Sequence, residues 1–283
     1  MSAAALRLSL PTRALRRTPA RIGFAITLVF LVLTLAAGWL APFDPFDQDL
    51  SAALSPPSAE HWFGADQYGR DMLSRVMFGT RSALLAVIVA DGIALLLGCA
   101  MGLVAGFFGG RIDAVVMRLV DVLLAFPYLL LALIIVAALG PGLTNSMIAI
   151  GIVYTPQYAR LIRGQVLSVR GADYVRAARA IGAARLRIML RHVLPNSFAP
   201  ILVMATLQAG SVIVETAGLS FLGLGAQPPS PDWGALLADG QAYFLTAWWI
   251  ATFPGLAIFV VVIGFNLLGD ALRDVADPRR AAR

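Results

Sequence analysis

Long stretches of this chain carry no charge, and that limits what it can become. A bilayer core about 30 Å thick is crossed by roughly 20 apolar residues in a helix. Residues 22–40 are uncharged, 82–110 carry only Asp91, and 193–214 and 240–269 are uncharged again. Residues 122–159 are also free of charge but too long for one crossing; Gly140-Pro141-Gly142 divides them into 122–139 and 143–159. The expected fold class is therefore an all-α integral membrane protein with six transmembrane helices. Composition agrees: 59% of residues are apolar and 13% charged, where a soluble domain has ~25% charged. That excess excludes a simple soluble globule, and it excludes intrinsic disorder, which needs low hydrophobicity and high charge.

The orientation is written in arginine. All 22 basic residues are Arg. Without Lys, the chain cannot form a Walker A phosphate loop of its own. The first 21 residues hold five Arg and no acid, the stretch around Arg111 and Arg118 two, residues 160–191 eight against the single acid Asp173, and the tail four. The alternate side holds only Arg70, Arg75 and Arg81, with six acids between 41 and 81. The positive-inside rule then puts both termini in the cytoplasm. The expected layout is a cytoplasmic segment 1–21, a first span 22–41, an extracytoplasmic segment 42–81, a five-helix core 82–269 with a cytoplasmic loop 160–195, and a cytoplasmic tail 270–283. The apolar run after the N-terminal Arg is longer than the ~7–15 residues of a leader h-region, so the first span is expected to be retained. One cysteine (Cys99) and two histidines (His61, His192) leave no disulfide framework and little for a zinc site.

The most informative segment is 171–195. Asp173 suits a helix N-cap and Gly182 a C′ residue. Between them Tyr174, Ala177, Ala178 and Ile181 recur at i, i+3, i+4 and i+7, one face of a helix. After Gly182, Leu186, Met189, Leu190 and Val193 repeat the spacing, and Pro195 opens the next span. Two short amphipathic helices joined at a glycine can lie on anionic lipid, pack under the bundle, or dock into a partner's groove.

This stretch resembles the EAA loop of the membrane subunits of ABC importers: Glu-Ala-Ala, three residues, Gly, nine residues, Ile-x-Leu-Pro. Ala177-Ala178, Gly182 and Leu194-Pro195 fall at those spacings, with Arg176 where the Glu stands and His192 where the Ile stands. The block His61–Arg75 (His-Trp-Phe-Gly-Ala-Asp-Gln-Tyr-Gly-Arg-Asp-Met-Leu-Ser-Arg) is similar to one in the dipeptide/oligopeptide/nickel permeases, C-type subunit. So are Asp121-Val-Leu-Leu-Ala-Phe-Pro127, Glu215-Thr-Ala-Gly-Leu-Ser-Phe-Leu-Gly-Leu-Gly225 with Pro228-Pro229 and Trp233-Gly234, and a tail running from Asn266 to Pro278. The resemblance, from about residue 20 to the end, implies a type I importer permease that performs no covalent chemistry. It implies a heterodimer with a second permease, two cytoplasmic ATP-binding subunits that alone hold ATP and Mg²⁺, and an extracytoplasmic substrate-binding protein. The chain itself needs no cofactor, binds no metal and no nucleic acid, and contacts the bilayer. The coupling loop would comprise Asp173, Tyr174, Arg176, Ala177, Ala178, Ile181, Gly182, Leu194 and Pro195.

Other residues admit two readings. Asp91 within a span faces water or the bundle interior, as a cavity group meeting polar substrate or as a helix–helix hydrogen bond. Gly98, Gly102 and Gly106 let backbones approach, within this chain or against the second permease. Glu215 receives the binding protein or supports the Ser220–Gly225 turn. Asp66, Arg70 and Asp71 are expected to form local ion pairs. An ion-gradient-driven secondary transporter predicts inverted repeats and ionisable relays; one mid-span acid and no repeat argue against it. An intramembrane hydrolase lacks its motif, since Leu222 stands where Gly-x-Ser-x-Gly needs glycine.

Overall fold

The computed structural model describes residues 18–276. The expected cytoplasmic arginines 7, 13, 16 and 17 and the tail after Ala276 lie outside the described residues. Nine helices form among the described residues: α1 (Thr18–Leu40), α2 (Met72–Phe108), α3 (Gly110–Leu124), α4 (Tyr128–Leu139), α5 (Leu143–Val169), α6 (Asp173–Ala180), α7 (Arg185–Phe221), α8 (Trp233–Gln241) and α9 (Trp249–Ala276). The β-pairing described is a single isolated bridge, Ala65 with Asp71. The fold is all-α, as the uncharged runs predict.

Helix ends depart from the ends of the uncharged runs where charge is neutralised locally. Asp71 caps α2, its Oδ2 accepting from Ser74 N and Oγ, each at 2.8 Å. The helix therefore starts ten residues before the uncharged stretch at 82. Arg75 and Arg81 tolerate this. Arg75 is 1% exposed, beside Asp66, and Arg81 donates to the Thr34 carbonyl of α1 at 3.2 Å.

Length and hydropathy alone account for four or five of the six expected spans. Four helices, α1, α2, α7 and α9, are long and apolar enough to cross a membrane; α3 and α4 add a fifth only if taken together, across a 93° bend. The third expected span breaks because Pro127 precedes α4, biasing Phe126 away from helix. Alone, the 12 residues of α4 reach about 18 Å. Helix α5 has 27 residues, about 40 Å, but Asn145, Gln157, Arg160 and Arg163 dilute its hydropathy. It is also the interior helix, with Tyr158, Ala159, Ile162 and Val166 wholly buried.

Two apolar cores organise the bundle. One joins α2, α4, α5, α7 and the loop around Val175 and Ile188. The other joins α1, α2, α8 and α9 around Phe30, Met72, Trp233, Trp249 and Phe265. In the first, α2 and α5 meet along glycines. A Cβ on Gly98 would lie 2.4 Å from Tyr158 Cβ, on Gly102 2.5 Å from the Ala159 carbonyl oxygen, and on Gly106 2.8 Å from Val166 Cβ. All three expected glycines are thus consumed by packing within this chain.

The segment before α2 folds over the end of the second core. Asp66 is fully buried and accepts from Arg70 Nε at 2.6 Å and from the backbone of Tyr68 and Arg70. Asp71 lies 2.9 Å from His61 Nδ1, and Arg75 Nη1 donates to the Pro45 carbonyl at 3.0 Å. The expected local ion pairs of Asp66 and Arg70 are present. Trp249 Nε1 donates to Ala65 O at 2.9 Å, and Phe63 stacks on Phe253 at 3.9 Å. Burial raises the Asp239 carboxyl pKa, while Gln67 and the nearby charges of Arg75 and Arg70 oppose the rise.

Candidate functional site

The loop between α5 and α7 is built from a clean helix stop. Gly182 takes φ +79, a conformation that favours glycine. Its N–H donates to Arg179 O at 3.0 Å, and Ala183 N–H donates to Ala178 O at 3.1 Å. These two bonds close α6 in the Schellman arrangement, with Gly182 at C′ as its sequence position predicts. The start of α6 differs by one residue. Ala172, not Asp173, takes the cap conformation; Asp173 makes no cap bond, opens the first turn, and pairs with Arg176. An acid there still favours the positive end of the helix dipole.

Burial divides the predicted stripe. Val175 is fully buried and Ala178 is 7% exposed, whereas Tyr174 is 46% and Ile181 85% exposed; Ala177 and Gly182 are exposed as well. The buried edge, Val175 and Ala178, shares only Ala178 with the stripe and leaves Tyr174, Ala177 and Ile181 exposed. The same division continues into α7, where Ile188, Met189 and Val193 are buried while Leu186 and Leu190 are exposed. Leu194 is half-buried, and the exposed Pro195 opens a 3-10 turn, Pro195–Ser197. One edge of the loop is anchored in the bundle. The other presents apolar side chains that stay exposed among the described residues.

Inside the bundle, α5 carries two tyrosines one turn apart that meet the acids Asp91 and Glu215. A π turn, Val87–Asp91, interrupts α2, and Tyr158 Oη donates to Asp91 Oδ1 at 2.5 Å. Asp91 is 7% exposed. Tyr154 likewise donates to Glu215 of α7. The Ser220–Gly225 turn is closed without Glu215, by Ser220 Oγ accepting from Ala226 N at 3.1 Å and by Gly223 N–H bonded to Ser220 O at 3.0 Å. The sequence reading missed the tyrosines; their i, i+4 spacing in an uncharged run was the available signal. Asp91→Leu strands the buried Tyr158 hydroxyl and is expected to destabilise the chain by about 1–3 kcal/mol. Asp91→Asn keeps an acceptor and stays close to the parent. Melting of the two variants in detergent checks the difference, and equal melting points would remove this role.

At the other end of α5, Arg163 Nε and Nη2 hold both oxygens of Asp113 at 2.5 and 2.6 Å, and Arg160 meets Asp121 at 2.8 Å. Arg170 Nη1 donates to Gly106 O at 2.8 Å. The arginine-rich end of α5 is thus tied to α2 and α3.

Residues 98–282 match the family model "binding-protein-dependent transport system inner membrane component". The chain belongs to this family. Its members are transport subunits of the membrane, not enzymes, and the family implies an ATPase and a substrate-binding protein as partners. Residues 12–57 match the N-terminal transmembrane domain of oligopeptide transport permease C. The chain is 46% identical over 270 residues to a probable D,D-dipeptide transport system permease protein of Escherichia coli strain K12, covering 95% of this chain and 91% of that one. It is 46% identical over 263 residues to a di/tripeptide transport system permease protein of Pseudomonas aeruginosa strain UCBPP-PA14, with 91% and 87% covered. The fold is similar to a chain of the inward-facing MetNI methionine ABC transporter, with a TM-score of 0.59 at 18% identity, over 73% of this chain and 98% of that one. A second match is an amino acid ABC transporter, TM-score 0.54 at 19% identity, over 70% and 92%. A binding-protein-dependent permease sits in the inner membrane and crosses it several times. Membership decides against the ion-gradient-driven alternative and the hydrolase.

Proposed function

We propose that this permease passes peptides or related small solutes of the dipeptide, oligopeptide or nickel class, and that the loop 160–195 transmits the pull of a cytoplasmic ATPase. Three permeases similar to it over nine-tenths of its length carry dipeptide or di/tripeptide transport in their names, which supports the peptide class. The observation that carries the coupling assignment is the two-sided loop. Val175, Ala178, Ile188, Met189 and Val193 are buried in the bundle, while Tyr174, Ile181, Leu186 and Leu190 stay exposed. An amphipathic helix laid into a partner's groove uses such an edge. The buried edge makes the loop rigid with α5 and α7, so force on the loop moves the spans.

In this reading Asp173, Arg176, Ala177, Gly182, Leu194 and Pro195 shape the handle, and Tyr174 and Ile181 enter the ATPase. The loop and both termini face the cytoplasm, residues 42–81 lie outside, and 82–269 form the moving core. Two such permeases, a heterodimer, enclose the pathway, and each engages one ATPase; alternating access is a shift between two states of that assembly. Since α5 uses Gly98, Gly102 and Gly106, the second permease packs on another surface. Asp91 and Glu215, each bonded to a tyrosine of α5, hold α2 and α7 to that interior helix.

The test uses Ile181→Cys in a Cys99→Ala background, expressed with its ATPase and binding protein. The new thiol is expected to cross-link to an ATPase cysteine and to stay unreactive in intact cells toward a reagent that cannot cross the membrane. Labelling from outside, or no adduct with any ATPase cysteine lining the groove, overturns the assignment.

A further inference from the structure

A cleft of about 510 Å³ opens where the end of α2 meets the loop, lined by Phe107, Phe108, Arg170, Arg179, Ala183 and Arg185 among others. Three guanidiniums line one space, and among the described residues no carboxylate does. Like charges gathered this way repel unless an anion lies between them. The acids of α3 and of the start of α6 are already taken. Asp113, whose charge is felt together with that of Arg170, is gripped by both nitrogens of Arg163; Asp121 is held by Arg160 and Asp173 by Arg176.

The three arginines are arranged rather than scattered. Arg170 is fixed through Nη1 to the Gly106 carbonyl at 2.8 Å, leaving its remaining donors for a ligand. Arg179 lies with its guanidinium carbon 5.8 Å from the centroid of the Phe107 ring, a contact that holds the cation without neutralising it. Arg185 opens α7 on the far lip. Neither Arg179 nor Arg185 has an ion pair among the described residues.

Planar guanidinium forks match the oxygens of phosphate, in charge and in geometry. The cleft volume falls in the ~300–1,000 Å³ range of small-molecule sites, room for a phosphate with a glycerol attached. Next to it the surface turns apolar: Phe108 is 45% exposed, and Ile112, Val115 and Leu119, spaced along one side of α3, are exposed too. We propose that this cleft binds a phosphate-bearing anion, supplied as the headgroup of an anionic phospholipid or as free phosphate. The site stands on its own residues and does not depend on what the exposed edge of the loop docks against.

The experiment takes the assembled transporter in a neutral detergent and offers it dioleoylphosphatidylglycerol, dioleoylphosphatidylcholine or inorganic phosphate, counting retained molecules by native mass spectrometry. The parent is expected to retain the anionic lipid and not the zwitterionic one. Arg179→Gln/Arg185→Gln removes two charged donors and should weaken retention by about tenfold or more. Ala183→Glu, which supplies an internal carboxylate at the lip, should lose it as well, while Arg160→Gln should retain it fully. Retention of inorganic phosphate alone, lost in the same variants, assigns the site to free phosphate. Retention of neither, or equal retention by the parent and Arg179→Gln/Arg185→Gln, overturns the proposal.

Discussion

Gly182→Pro is expected to leave the chain in the membrane and to lower solute uptake by about a hundredfold. The physical argument is local. Proline fixes φ near −65°, whereas Gly182 has φ +79. Proline also has no N–H to give, and Gly182 N–H holds Arg179 O at 3.0 Å. The stop of α6 is lost, and with it the link that carries Ala183 and α7 onward. A cost of about 3 kcal/mol makes the docking conformation roughly a hundredfold rarer. Gly182→Ala, which strains φ but keeps the N–H, should cost about 1–2 kcal/mol and retain part of the uptake. ATP-driven uptake of a labelled dipeptide by vesicles carrying the whole transporter, with ATP hydrolysis followed in parallel, provides the readout. Hydrolysis that continues without uptake is the expected signature of uncoupling. Normal uptake by the proline variant would mean that the loop is not the handle.

Gly102→Val is expected to destabilise the permease itself, by about 3 kcal/mol or more. The added Cβ would sit 2.5 Å from the Ala159 carbonyl oxygen and 2.9 Å from Ile162 Cβ. The first of these is backbone of the interior helix, so no side chain can swing aside, and α2 must move off α5. That displacement also pulls on Asp91 and Tyr158, which join the same two helices. Gly164→Ala is the control, since nothing lies within 4 Å of the added Cβ and alanine favours helix by about 1 kcal/mol. Thermal unfolding in detergent should separate the two variants widely. Coincident melting curves would show that the glycine contact is not what holds α2 on α5.

Much of the fold was legible because the bilayer imposes a one-dimensional rule. A run without charge that crosses the bilayer must close its own backbone hydrogen bonds, which a single segment does only as a helix. The uncharged runs therefore predict α1 closely and cover most of α2 and of α9. The rule fails where tertiary contacts replace the solvent. Met72–Arg81 joins α2 because Asp66 and the Thr34 carbonyl receive Arg75 and Arg81; Asp66 is near in sequence, but no local signal reports a partner as distant as Thr34. The same holds for α5, whose polar residues dilute its hydropathy yet meet partners inside the bundle, as Tyr158 meets Asp91.

In the loop, the spacing of Ala177-Ala178, Gly182 and Leu194-Pro195 located the element, and the position of Gly182 predicted its turn, because positive φ is a property of the residue itself. Which edge of α6 faces the bundle was another matter. Tyr174 and Val175 are adjacent, both apolar in character, and a helical period accommodates a stripe through either. Only the position of α6 against α7 and the end of α5 buries Val175 and exposes Tyr174 and Ile181. The sequence by itself determined what is periodic and local: membrane helices, the asymmetry of arginine, the glycine stop. The tertiary structure alone decided what depends on two distant segments meeting: which side of each helix is hidden, which acid finds a tyrosine, and where three arginines share one cleft.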